Sequence, residues 1–229
     1  MTIGLRIWVN RLRRRVLDAL AFRIVFGERA SGGEVLPLTR ISASTCIEHW
    51  PGLVLGDHVF IGHFNYIEAL HGVRIDEGVQ ITNYVSILSH SSHRSLRLMG
   101  RAYAVTPPGG RVGFIEGPVH IGAYSFIGPH TTIEANTRIG RGSVVASHSR
   151  VRGEFPDFAI IAGSPASVVG DTRDDDGRWL QAHPEWRAHY EAWAGDGAFA
   201  DPYRNPSPEP AEAYRFDSTA GNPERGQPG

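Results

Sequence analysis

From Ile121 to Val151 the chain reads IGAYSF, IGPHTT, IEANTR, IGRGSV and VASHSR, and an aliphatic residue opens each block of six. The fifth place of each block is a small hydroxyl residue: Ser125, Thr131, Thr137, Ser143 and Ser149. A repeat this short cannot bury its apolar edge alone, so successive units must stack into a continuous core. The first place points into a prism, and a small fifth residue lets the coil turn its corner. The same register runs through Leu55, Ile61, Ile67 and Val73, shifts by two, and resumes at Ile75, Ile81 and Ile87. The pattern predicts an all-β solenoid, a parallel β-helix of hexapeptide repeats, over residues 34–173, faint before Leu55.

The register breaks between Ile87 and Ile121. A segment rich in glycine, proline and arginine fills residues 88–120. An excursion that long from a compact repeat is functional or disordered, and His90 and His93 at its start favour function.

Leu5 to Val25 place Trp8, Leu12, Val16, Leu20 and Ile24 four apart, beside Arg6, Arg11, Arg13, Arg14 and Arg15. This spacing predicts a basic amphipathic helix stopped by Gly27, with residues 31–33 as linker, so that 1–33 form an N-terminal appendage. Its apolar side packs on the solenoid or a neighbouring subunit, or meets an anionic membrane. A second helix, within 174–199, aligns Trp186, Tyr190 and Trp193 after Pro184. Proline-rich residues 200–229 read as a disordered tail.

The chain has 229 residues, 41% hydrophobic, with 23 basic residues, all arginine, against 24 acidic ones. That balance gives no reason to expect nucleic acid as a partner. A single cysteine, Cys46, cannot form an internal disulfide, and the arginines interrupt any secretory signal, so the cytoplasm is the expected compartment, with membrane association as the variant.

The coils, the histidine-bearing insertion and the closing IIAGSPASVV together resemble the hexapeptide-repeat acyltransferases, in the branch of sugar, xenobiotic and polysaccharide O-acetyltransferases. The resemblance covers about residues 41–173. It implies a left-handed parallel β-helix, acetyl-CoA as acyl donor, a saccharide acceptor, and a homotrimer with its sites between subunits. It also implies a histidine that deprotonates the attacking hydroxyl. Set beside xenobiotic acetyltransferases, VSILSHSSHR puts that histidine at His93; set beside galactoside acetyltransferases, HRSLRLMG puts it at His90. The ungapped first alignment favours His93.

By the same resemblance His63, Asn65 and Phe126 contact the acceptor. Asn65 also stands at a fifth place, where a corner ladder is an equal reading. The oxyanion donor falls on Pro129, which has no N–H, leaving Gly128 to take its place. Ser147 and Ala162, Gly163 and Ser164 line the pantetheine. The family's basic phosphate ligands align with Gly153, Ser167 and Gly170, and Arg150, Arg152 and Arg173 stand in for them. No metal site is expected. The competing readings are an amino-sugar N-acetyltransferase, a zinc enzyme like the γ-type carbonic anhydrases, and a scaffold without catalysis.

Overall fold

The computed structural model describes residues 3–195 and 197–200, so the expected tail lies outside the described residues except for Ala200. The six-residue period becomes three faces of parallel strands. On the first face, Ile41, Ile61, Ile81, Ile127, Val145 and Ile161 lie in register, each paired with the next. The second face aligns Ile47, Ile67, Ile87, Ile133 and Val151. The third aligns Leu55, Ile75, Ile121, Ile139 and Phe155. Every isoleucine from Ile61 to Ile161 in these rows is fully buried in one apolar core.

The two-residue shift at Val73 has a simple cause. Strand Val73–Ile75 sends both of its ends inward, and Val73 is 1% and Ile75 0% exposed. Alternation along a strand puts residues two apart on one side.

Corner chemistry is richer than small size. Ser125 Oγ donates to the Gly140 carbonyl at 3.0 Å, Thr131 Oγ1 to Ala146 at 3.3 Å, and Ser143 Oγ to Pro156 at 3.3 Å. Each hydroxyl thus ties its corner to the next coil. Three residues after an inward apolar residue the backbone enters the left-handed region, at His58, Phe64, Tyr84, Tyr124, His130, Asn136, His148 and Phe158, with φ from 57° to 62°. Non-glycine residues seldom adopt it. Phe64, Tyr84, His130 and His148 form one column along a corner, with ring centroids 5.1, 5.0 and 4.8 Å apart.

Asn65 belongs to this corner system. Its Nδ2 donates to the Gly62 and Thr82 carbonyls at 3.0 and 2.7 Å, and its Oδ1 accepts from Val85 N–H at 2.7 Å. At 2% exposure it has nothing left for an acceptor, which corrects its expected substrate contact. Asn65→Ala strands the Val85 amide and will cost about 1–3 kcal/mol of stability. Urea midpoints will show that loss, while KM for the acceptor stays unchanged.

Helix α1 (Ile3–Ala21) ends four residues earlier than expected. Strand β1 (Ile24–Arg29) then pairs antiparallel with β2 (Val35–Ser42), matching Ile24 to Ser42 and Val25 to Ile41. The β-branched pair Ile24 and Val25 suits a strand that closes the open edge of the first coil. Gly27 lies inside β1, and the supposed linker is the hairpin turn, where Gly33 N–H donates to Ala30.

The insertion is folded. His90–Ser91 pairs antiparallel with Ile115–Glu116, and α2 (His93–Met99) and two 3-10 turns lie between them. Gly117 lets this stem lie on the coil: a Cβ there would meet Asn136 Oδ1 at 1.9 Å. At the far end α3 (Arg173–Ala182) and α4 (Arg187–Ala194) cap the prism. Tyr190 and Trp193 pack on Phe158, whereas Trp186 remains 54% exposed.

Candidate functional site

Register places a carboxylate beside the insertion. Pairing of Ile67 with Ile87 sets Glu68 opposite Leu88, two residues before His90. Glu68 is only 2% exposed. Its Oε1 accepts from Leu70 N–H at 2.6 Å; its Oε2 accepts from Ser89 Oγ at 2.8 Å and lies 2.6 Å from His90 Nδ1. Burial alone would raise the Glu68 pKa, but hydrogen bonds from Ser89, Leu70 and His90 bring it below its ordinary value. The carboxylate is therefore ionised at neutral pH and makes His90 Nδ1 the protonated nitrogen. In the neutral ring of that tautomer it is Nε2 that carries the lone pair a base requires.

Ring contacts fix the imidazole plane. Phe114 from the insertion stacks on His90 at 5.3 Å, and His71 meets it edge-on at 5.9 Å. Glu116 Oε2 lies 3.5 Å from His71 Nε2. His93 stands apart from this cluster: it opens α2, and its Nδ1 lies 2.7 Å from Ser91 Oγ, with no ion pair to a carboxylate among the described residues. The geometry of a held base thus belongs to His90 and not to the preferred His93. Glu68 was the residue that motif reading missed. Stacking the repeats in register from Ile67 to Ile87 was the signal that could have found it.

The remaining expected residues divide. His63 Nδ1 is 2.6 Å from Ser42 Oγ and its ring lies 6.5 Å from Phe22, so it helps seat the β1 end. Phe126 projects from the first face, 40% exposed. Gly128 N–H is committed to the Val145 carbonyl at 2.8 Å, so it is no free oxyanion donor and that expectation is corrected. Ser147 is exposed, and Ala162 and Gly163 end one arm of the closing hairpin while Ser164 begins its turn, with Gly163 N–H donating to Ser149 Oγ at 3.3 Å.

Arg173 is the clearest correction. It is 2% exposed, bonds Asp171 through Nε at 2.9 Å and Nη2 at 2.6 Å, and donates from Nη1 to the Ala198 carbonyl at 2.9 Å. A cofactor phosphate cannot reach it. Arg150 is tied to Glu134 at 2.7 Å on the surface, and Arg152 is exposed. Among the described residues no group of three or more metal-ligating side chains converges within the protomer.

Coils of six, stacked in parallel and interrupted once beside a His–Glu pair, are the architecture of a hexapeptide-repeat protein. Residues 118–153 match the family described as bacterial transferase hexapeptide (six repeats). A probable acetyltransferase of Mycobacterium tuberculosis is 33% identical over 126 residues, 55% of this chain and 39% of its own length. WbbJ of Escherichia coli, named for lipopolysaccharide biosynthesis O-acetyl transfer, is 26% identical over 69% of this chain and 77% of its own. The chain thus spans about two fifths of the mycobacterial relative and three quarters of WbbJ. Among solved structures, a galactoside acetyltransferase in complex with coenzyme A gives a TM-score of 0.48 at 23% identity, covering 58% of this chain and 62% of that one. In its repeats and in these relatives the chain is similar to the hexapeptide-repeat acetyltransferases.

Proposed function

We propose that this chain transfers the acetyl group of acetyl-CoA to a hydroxyl of a saccharide, with His90 as general base and Glu68 as its positioning residue. The observation that carries the reading is the 2.6 Å contact between His90 Nδ1 and the buried Glu68 carboxylate. His90 Nε2 takes the acceptor's O–H proton while the oxygen attacks the thioester carbonyl. The tetrahedral intermediate collapses, the C–S bond breaks, and the proton passes to the departing thiolate, giving an acetyl ester and free CoA.

The named relatives support acetyl as the acyl group, and WbbJ's name supports a surface saccharide as acceptor. The coils are proposed to wind left-handedly and to assemble as a trimer with clefts between subunits. One wall of the cleft carries Phe126; Ser147 and the end of the closing hairpin at 162–164 guide the pantetheine. Arg150 and Arg152 are the arginines proposed for the CoA phosphate, since Arg173 is engaged elsewhere. With Gly128 N–H committed and Pro129 lacking one, the oxyanion donor lies outside this step of the chain.

A panel of hexose, amino-sugar and glycolipid acceptors with acetyl-CoA tests the reading. Free CoA is expected to appear only with acceptors, together with a base-labile acetyl ester. A product that is an amide instead would move the reading to N-acetyl transfer, and acceptor-independent CoA release would end both.

A further inference from the structure

We infer that α1 together with the β1 end of the prism is a docking surface for an anionic phospholipid bilayer, independent of which acceptor the enzyme uses. At 100° per residue, Trp8, Ala19, Leu12, Leu5, Val16, Val9 and Leu20 fall within a sector of about 120°. Arg11 and Arg15 lie about 20–60° outside the Trp8 edge, and Arg13 and Arg6 about 20–40° outside the Leu20 edge. Among residues 4–20, Ile7 and Leu17 are the large apolar residues that stray to the polar side. Arginines flanking an apolar stripe on both sides suit a helix lying in the headgroup plane, its apolar face in the acyl boundary and its guanidinium groups on lipid phosphates.

The stripe is bare. Trp8 is 61%, Leu12 47%, Val16 47% and Leu20 72% exposed, and no described residue of the helix is buried. The exposed apolar surface continues onto the first coil through Phe22, Val25, Phe26, Val35 and Leu38. No helix among the described residues is long and apolar enough to cross a membrane, so contact would be peripheral.

Charge selects the occupant. Residues 1–40 hold eight arginines and three acidic residues, although the whole chain holds 23 basic and 24 acidic ones. The excess is thus concentrated on the end that bears the apolar stripe, and a negatively charged surface complements it. Helices of neighbouring copies packed stripe to stripe would instead bring these guanidinium rims together. Docking is also mechanically coupled to the prism. Strand β1 pairs with β2, and Phe22, one residue beyond the helix, packs on Phe64 at 5.4 Å, so a docked helix holds the solenoid at the surface.

Co-sedimentation of the full chain with phosphatidylcholine vesicles, with and without about a third phosphatidylglycerol, tests the inference. The full chain is expected to bind the anionic vesicles, to ignore the neutral ones, and to be released by high salt. Leu12→Glu/Val16→Glu is expected to lower the bound fraction at least tenfold. Arg6→Gln/Arg11→Gln/Arg13→Gln/Arg15→Gln, which leaves the apolar stripe intact, should do the same without changing the mass measured by light scattering or turnover on a soluble acceptor. Equal binding to neutral vesicles, binding that survives the arginine variant, or a changed mass in that variant overturns the inference.

Discussion

His90→Ala will lower turnover by about 10²–10⁴-fold, the usual contribution of a positioned general base, while His93→Ala will leave it close to wild type. The contrast follows from what holds each ring. His90 has a buried carboxylate at Nδ1 and an aromatic ring stacked on its face, whereas His93 has a serine hydroxyl near the surface. Glu68→Gln sharpens the test. A glutamine amide can donate to Nδ1 and stabilise the opposite tautomer, so turnover should fall by about 10²-fold or more with KM little changed. CoA release measured with saturating acceptor and donor reads all three variants. A normal rate for His90→Ala would remove the dyad from the mechanism, and loss in His93→Ala alone would transfer the role.

The same carboxylate sets a pH dependence of stability. Its folded pKa lies below the ordinary value of 4.5, so the unfolded chain takes up the proton first as pH falls. The stabilisation is complete above that ordinary value and is lost as pH drops through the folded one. Glu68→Gln should therefore flatten the acid limb of the urea midpoint against pH.

Arg173→Met will destabilise the fold by about 3–5 kcal/mol, the cost of leaving one member of a buried ion pair without the other. Asp171 is 2% exposed and accepts three bonds from Arg173, through the backbone N–H, Nε and Nη2. The guanidinium also covers the Phe158 ring at 4.6 Å and ties Ala198 to the cap. Substituting both partners, Arg173→Met/Asp171→Leu, should recover much of the loss, because no unpaired charge remains. Urea midpoints measure the first effect. Titration with acetyl-CoA under folding conditions separates it from phosphate binding: unchanged affinity is expected, and a selective loss of affinity would restore Arg173 as a ligand.

These two results bear on how far the sequence could be read. The inward isoleucines were legible because a period of six is a local signal repeated many times. The corner role of Asn65 was legible to the same degree, since it occupies the fifth place that Ser125 and Thr131 occupy elsewhere. Glu68 was not, because its burial depends on Ser89 and His90 of the next coil closing over it, some twenty residues away. Arg173 was misjudged for a related reason. Solvated arginines are usual, and only the cap formed by α3 and Ala198 takes this one out of water. The end of α1 at Ala21 was hidden by Ile24 and Val25, which continue a helical apolar spacing yet pair with β2 as a strand.

The column of Phe64, Tyr84, His130 and His148 has a consequence for how such a chain can lengthen. Neighbouring strands lie about 4.7–4.9 Å apart, and the ring centroids of the column lie 4.8–5.1 Å apart. Each ring therefore takes up the rise of one coil. A duplicated coil that brings a planar residue to its fourth place inserts into the column without disturbing the rings above or below it. The corner works as a ruler whose unit is one aromatic ring, and chain growth by whole coils is the change that this ruler tolerates.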